Sequence, residues 1–279
     1  MLNRINTFRW QSITETLLNA LKRFPVAATA TIGLCISLLL LVNLPYEQLK
    51  GSILYEPSYW YVWVGALPLA ASIVLCFENR LNPTIRHSVS LLAVLLWSLY
   101  GYISNDTPEH FFGALAFIAP IVTFFSSLFW VAFLKKDTDT SFWNFSYLLC
   151  IQILTGLLFA SVLAAGLSLA LFSTDTLFGC EFKSEMYSNI HVLCYTLFFP
   201  FYLLGNIPIA SITETKVHSF AQAWKILGLY ILLPLLILYG TILYAYLIKI
   251  IIQWQLPDGW VSALVSILTI GGTITLFIL

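Results

Sequence analysis

Eight long stretches without Asp, Glu, Lys or Arg follow one another along the chain, at residues 24–46, 57–77, 87–105, 110–134, 140–174, 186–213, 226–248 and 259–279. Inside each, apolar residues run continuously instead of alternating, which favours helices over strands. A bilayer's hydrocarbon core of about 30 Å takes roughly 20 apolar residues in helix, and only helices or closed barrels satisfy their backbone there. The pattern therefore predicts an all-α integral membrane protein, a bundle of about eight transmembrane helices. The run 140–174 is too long for one perpendicular span and too short for two with a turn, so it reads as one long tilted helix. Along it Gly156, Ala160, Ala164 and Ser168 recur every four residues, forming a flat seam that lets another helix backbone approach closely, within the chain or in a second copy.

Ahead of the first run, Trp10, Ile13, Leu17, Leu21 and Phe24 share a narrow arc at 100° per residue, with Glu15, Asn19, Lys22 and Arg23 off it. Residues 1–24 read as a cytoplasmic amphipathic helix lying on the inner leaflet, and residues 25–279 as a polytopic transmembrane domain. The first run starts at Pro25 and lacks the small-residue cleavage pattern of a secretory signal, so it is expected to stay in the mature protein. The chain ends at Leu279 inside a hydrophobic run with no basic residue after it, and a C-terminal continuation is expected.

Composition supports this class. The chain has 279 residues, of which 59% are hydrophobic and 9% charged, whereas soluble domains carry about 25% charged residues. Charge also sets direction. With the N-terminus inside, ten basic residues (Arg4, Arg9, Lys22, Arg23, Arg80, Arg86, Lys135, Lys136, Lys216 and Lys225) fall on the cytoplasmic side. Only Lys50, Lys183 and Lys249 fall outside, so both ends of the chain are placed in the cytoplasm. The aromatic cluster Tyr55, Tyr59, Trp60, Tyr61 and Trp63 opens the second span at its outer end and reads as a headgroup anchor.

Candidate chemistry is sparse. The five cysteines show no metal or redox spacing, and a bridge between Cys180 and Cys194 is the one pairing on the oxidisable side. Glu181 and Glu185 would share a face if their stretch is helical, with His191 nearby, though a solvated acidic loop explains them as well. Phosphate-loop, zinc-protease, nucleophile-elbow and dinucleotide patterns are missing, and the few basic residues serve topology, which argues against nucleic acid as a partner. No cofactor is implied. Helix breakers are more suggestive: Pro68, Pro120, Pro200 and Pro234 lie inside spans, and Gly205, Asn206 and Pro208 weaken the end of the sixth. Local kinks or unwound turns there could line a cavity.

From residue 226 onward the sequence is distinctive: Leu233-Pro234, the helix Ile242-Leu-Tyr-Ala-Tyr-Leu-Ile-Lys249, then Trp254 and Leu256-Pro-Asp-Gly-Trp-Val-Ser262. This resembles a bacterial membrane family described as domain of unknown function 4153, in which a Tyr-Ala-Tyr helix with a lysine leads to a Leu-Pro-x-Gly-Trp turn. The resemblance implies a polytopic protein of the bacterial inner membrane and carries no activity with it. Read physically, Pro257, Asp258 and Gly259 make a tight reversal, Trp254 and Trp260 hold it at the headgroups, and Lys249 snorkels to the same level. Alternatively Tyr244, Tyr246 and Lys249 face a shared cavity. Asn206, Tyr244, Tyr246, Lys249, Trp254, Gly259 and Trp260 are thus the candidate cavity or motif residues.

Three function classes follow. A membrane-embedded accessory or sensory module fits a charge-poor span set with short loops, and expects a filled interior. A transporter or permease for a weakly charged or lipid-like solute needs a polar path beside the prolines. An enzyme on lipid-linked substrates needs carboxylates to converge with His110 and His191. Membrane lipids, a second copy of the chain or another membrane protein are the expected partners.

Overall fold

The computed structural model describes residues 17–52, 57–78, 80–103, 111–134, 139–208, 227–253 and 260–278. These are almost entirely helical. The main helices are α1 (Pro25–Asn43), α2 (Pro57–Phe77), α3 (Pro83–Ile103), α4 (Phe111–Trp130), α5 (Asp139–Phe178), α6 (Ser184–Val192), α7 (Phe199–Asn206), α8 (Leu233–Gln253) and α9 (Trp260–Ile278). Six helical stretches are long and apolar enough to cross a membrane: Pro25–Asn43, Tyr59–Phe77, Ala116–Phe133, Phe142–Phe178, Ser184–Asn206 and Leu227–Ile252. The chain is an all-α, multi-pass membrane protein. Of the proposed interfacial helix only residues 17–23 are described, and they are helical; Trp10 and Ile13 lie outside the described residues.

The long charge-free run forms a single helix of 40 residues. Prolines act in two ways. Pro68 and Pro120 sit inside uninterrupted α-helices, whereas π-helical turns, Leu193–Phe198 and Leu227–Leu232, come just before Pro200 and Pro234. A proline ring crowds the carbonyl four residues back and offers it no N–H, and a wider turn relieves the clash.

The chain divides into two units, one drawn from Met1–Gly156 and Tyr195–Thr215, the other from Leu157–Cys194 and Lys216–Leu279. In the first unit α1, α2, α3 and α4 pack around a core that includes Phe24, Ala27, Ala70, Ala71, Val74, Leu128 and Leu149. Ala20, Ala27, Ala70 and Ala71 let the backbones approach within it; lipid is as apolar as leucine, so close packing and not water exclusion drives helices together. Aromatic rings fill the notches. Trp63 stands against Gly33, and a methyl group on Gly65 would meet Trp97 Nε1 at 2.7 Å. Tyr59 shares a 2.7 Å hydrogen bond with Ser37, and Tyr61 stacks on Phe117. Much of the aromatic cluster read as a headgroup anchor therefore packs helix against helix.

Helix α3 is built inside out. Arg86, Ser90, Trp97 and Gly101 form its buried stripe, while Leu92 and Leu96 on the other side are 59% and 58% exposed. Ser90 donates to the Ala70 carbonyl at 3.2 Å and Trp97 Nε1 to the Val62 carbonyl at 3.0 Å, fixing α3 antiparallel to α2. A helix that hides hydroxyls and shows leucines is made for lipid.

In the second unit, Gly166 of α5 receives Leu235 of α8, whose Cδ1 lies 2.5 Å from where a methyl group would stand. Tyr239 donates to the Gly166 carbonyl at 3.0 Å. These contacts and those of Lys249 with Leu177 ascend both helices together, so α5 and α8 run parallel. At the α5 seam a methyl group on Gly156, in the first unit, would stand 2.8 Å from the Tyr202 ring, and Ala160 and Ala164 are buried.

Replacing Gly65 with Leu should displace Trp97, break its bond to Val62 and cost about 2–3 kcal/mol. Gly240→Ala, with nothing within 4 Å, should be neutral or gain up to about 1 kcal/mol. Thermal unfolding in detergent compares the two.

Candidate functional site

A charged side chain in or near hydrocarbon is costly unless it meets opposite charge or oriented dipoles. The last four carbonyls of a helix lack intrahelical partners and carry the negative end of its dipole. In this chain the two needs meet. Arg23, Arg86 and Lys249 each donate to a carbonyl at or just past the end of a helix.

Arg23 is the most fully engaged. Its Nε and Nη2 grip the Glu78 carboxylate at 2.6 and 2.8 Å, a bidentate pair linking residues on either side of α1 and α2. Nη1 donates to the Ile207 carbonyl at 2.5 Å and Nη2 also to Pro208 at 3.0 Å, closing the end of α7. Both side chains are mostly buried. Arg86 lies by the same acid but receives less. Among the described residues its Nη1 reaches only the Glu78 main-chain carbonyl, at 3.5 Å. The residue is 8% exposed, and Nε is buried without a partner.

Lys249 ends the parallel α5–α8 pair. Its Nζ donates to the Leu177 carbonyl at 3.0 Å, in the last turn of α5. The ammonium also lies 5.4 Å from the Phe178 ring centroid and 5.9 Å from that of Tyr246, and these two rings meet edge to face at 6.0 Å. Lys249 and Tyr246 thus come together, three residues apart on one helix face. Tyr244 does not join them. It is 68% exposed and borders an open groove of about 520 Å³ on α8 with Ile237, Gly240, Thr241, Ala245 and Ile248. Asn206 donates to the Tyr202 carbonyl at 2.8 Å, spending its amide on its own helix. Tyr202 in turn donates to Gln152 at 3.2 Å. Trp254 and Gly259 lie outside the described residues, and Trp260 begins α9.

Around the prolines of the first unit, hydroxyls are linked in series. Ser127 donates to Ser72 Oγ at 2.7 Å, and Ser72 lies 2.7 Å from the Pro68 carbonyl and 3.3 Å from that of Phe124. Pro68 itself is buried.

At the predicted outer side, the chain turns at Gly179 and Glu181, both with positive φ, and α6 starts only at Ser184. Glu181 and Glu185 therefore do not share a helix face. His191 Nδ1 is 2.9 Å from the Tyr187 carbonyl and lines a shallow depression of about 600 Å³ with Phe182, Ser184, Tyr187 and Ser188. Cys180 and Cys194 are free thiols, the first exposed and the second buried. No group of three His, Cys, Asp or Glu side chains able to hold a metal occurs among the described residues. His110 is outside them.

In the sequence Arg23 and Arg86 stand among the cytoplasmic basic residues, Arg23 also off the apolar arc of the N-terminal helix, and Glu78 is not singled out. A usable signal was present. Arg86 precedes Ser90 by four residues and Trp97 by eleven, which places it on the buried stripe of α3.

A model of the family described as "Domain of unknown function (DUF4153)" matches residues 30–276. Neither the curated proteins nor the solved structures contain a match.

Glu78→Gln should destabilise the protein by about 2–3 kcal/mol, since it strands the Arg23 guanidinium. The double variant Arg23→Met, Glu78→Leu should recover part of this and keep a deficit of about 1–2 kcal/mol, because the Ile207 and Pro208 carbonyls lose their donor. Chemical unfolding in a mild detergent measures both. Lys249→Met should cost about 1 kcal/mol, with Lys249→Arg close to wild type. Equal loss in the two lysine variants would count against capping of α5.

Proposed function

The chain belongs to the DUF4153 family, and on that premise we propose that it serves as a membrane-embedded accessory or sensory module of a bacterial inner membrane, with eight spans and a cytoplasmic N-terminus. The observation carrying this reading is the Ser127–Ser72 link beside Pro68 and Phe124. A permease would expose such hydroxyls and carbonyls to a wet path at the proline-bearing spans. Here they bind α2 to α4. Gln152 and Tyr202, Ser90 and Ala70, and Tyr239 and Gly166 repeat the same use of polar groups.

Two helices complete the count of eight. The 21 residues of α3 reach about 31 Å and the 19 of α9 about 28 Å, each close to the hydrocarbon thickness. The buried polar stripe of α3 lowers its mean hydropathy without exposing a charge to lipid. Orientation rests on the ten basic residues against three. The small-residue packing and the outward leucines leave helix faces for lipid, a second copy or a partner membrane protein.

Single cysteines in an otherwise cysteine-free background test this reading in whole cells with a membrane-impermeant maleimide. Native Cys180 should label from outside. Arg80→Cys should label only after permeabilisation, and Ser72→Cys and Ser127→Cys should resist in both conditions. Labelling of the two serine positions in folded protein would replace the accessory reading with a permease. Reversed labelling of positions 80 and 180 would overturn the orientation alone.

A further inference from the structure

Just before the first span the chain carries an apolar arc wider than the bundle covers. Residues 17–23 are helical, and at 100° per residue Ala20, Phe24, Leu17, Leu21 and Leu18 follow one another around the axis, with Lys22 and Asn19 next. The structure splits this arc. Ala20 and Phe24 are fully buried in the core of the first unit, whereas Leu17, Leu18 and Leu21 are 42%, 49% and 42% exposed. Lys22, on the flank of the leucines, is exposed as well. Its neighbour Arg23 spends its guanidinium on Glu78 and on the Ile207 and Pro208 carbonyls. The helix does not simply extend α1, because Pro25 drives Phe24 out of the α region, to φ −131° and ψ 57°. With α1 apolar and long enough to cross a membrane from Pro25 onward, this break leaves the three leucines at the level where hydrocarbon gives way to headgroups.

We propose that residues 17–23 form a docking helix for an anionic lipid surface, with Leu17, Leu18 and Leu21 among the acyl chains and Lys22 at the lipid phosphates. The place of the helix beside α1 selects lipid as the occupant. One edge of the apolar arc is already inside the bundle, so only an outer strip of leucine needs cover, and acyl chains fill such a strip without a shaped partner. Charge matches too. Residues 1–24 hold Arg4, Arg9, Lys22 and Arg23 against Glu15, and an anionic leaflet attracts such a segment. Arg23, paired within the bundle, fixes the end of the helix. Lys22 meets no carboxylate among the described residues, and a lysine stem covers apolar surface while its ammonium reaches the phosphates. The inference goes beyond the accessory reading and holds for either orientation of the chain.

The test uses the full chain with Cys76, Cys150 and Cys180 replaced by alanine and the buried Cys35 and Cys194 kept, in phosphatidylcholine vesicles holding a minority of phosphatidylglycerol. Leu18→Cys and Leu21→Cys carry a bimane fluorophore, and Leu96→Cys on the exposed side of α3 is the reference. Both leucine positions are exposed, so these substitutions leave the bundle contacts of Ala20 and Phe24 in place. The quencher is a nitroxide near the top of the acyl chain of either lipid. Both probes should be quenched, about fivefold more strongly by labelled phosphatidylglycerol than by labelled phosphatidylcholine, the ratio equivalent to about 1 kcal/mol for one basic side chain at an anionic surface. Position 96 should show a ratio near one. Lys22→Gln should bring the ratio at 18 and 21 close to one with the unfolding temperature unchanged, and Lys22→Arg should keep it. The proposal is overturned if the probes at 18 and 21 escape both nitroxide lipids, since protein then covers them; recovery of quenching on dilution into excess lipid would identify a second copy as that cover. It is equally overturned if the two lipids quench alike or if Lys22→Gln leaves their ratio as it was.

Discussion

Helix ends in a membrane protein must settle their last carbonyls without relying on water, and this chain does so with its few cations. Arg23 closes α7, Lys249 closes α5, and Arg86 stands where α2 ends. The arrangement solves two problems together, because a lone charge near hydrocarbon and a row of unpaired carbonyl dipoles are each unfavourable alone. It also explains how Lys249 sits on an apolar helix with no carboxylate partner among the described residues. The ammonium has a carbonyl for a hydrogen bond and two aromatic faces for the rest of its charge.

Between the ends, small residues and rings set the spacing. Gly33 against Trp63, Gly65 against Trp97, Gly156 against Tyr202 and Gly166 against Leu235 are one device used four times. A hydrogen in place of a side chain lets a large group sit on the helix backbone, where dispersion replaces the hydrophobic effect that lipid cannot supply. Serines and threonines mostly bond back to a carbonyl three or four residues earlier, as Ser98, Thr123 and Thr241 do. Those hydroxyls are satisfied without demanding a neighbour. The few that cross between helices, such as Ser72 with Ser127, therefore mark real contacts.

Much of this architecture was legible in the sequence, because freedom from charge over about 20 residues is imposed by lipid and needs no tertiary information. Each of the eight charge-free runs contains a helix, and the long run extends as a single one to Phe178. Proline was only half legible. Its effect depends on whether the local helix can absorb the lost donor, so Pro68 and Pro120 continue the α-helix while π turns precede Pro200 and Pro234. The ion pair was not legible at all. Arg23 and Glu78 are 55 residues apart, and their meeting follows from how α1 and α2 pack. Tyr244 shows the opposite limit. Two residues before Tyr246, it is turned by about 200° and faces away, so a shared motif did not mean a shared site.

The same geometry bears on where any signal would enter. The polar links crossing the first unit are short and already paired, and opening one means stranding a hydroxyl or carbonyl in a poorly solvating interior. The rims are different. At the end of α2 the Glu78 carboxylate is gripped by Arg23, while Arg86 donates to the Glu78 main-chain carbonyl. Because Glu78 touches Arg23, and Arg23 also holds the Ile207 and Pro208 carbonyls, a change in the charge of Glu78 acts on the group that closes α7.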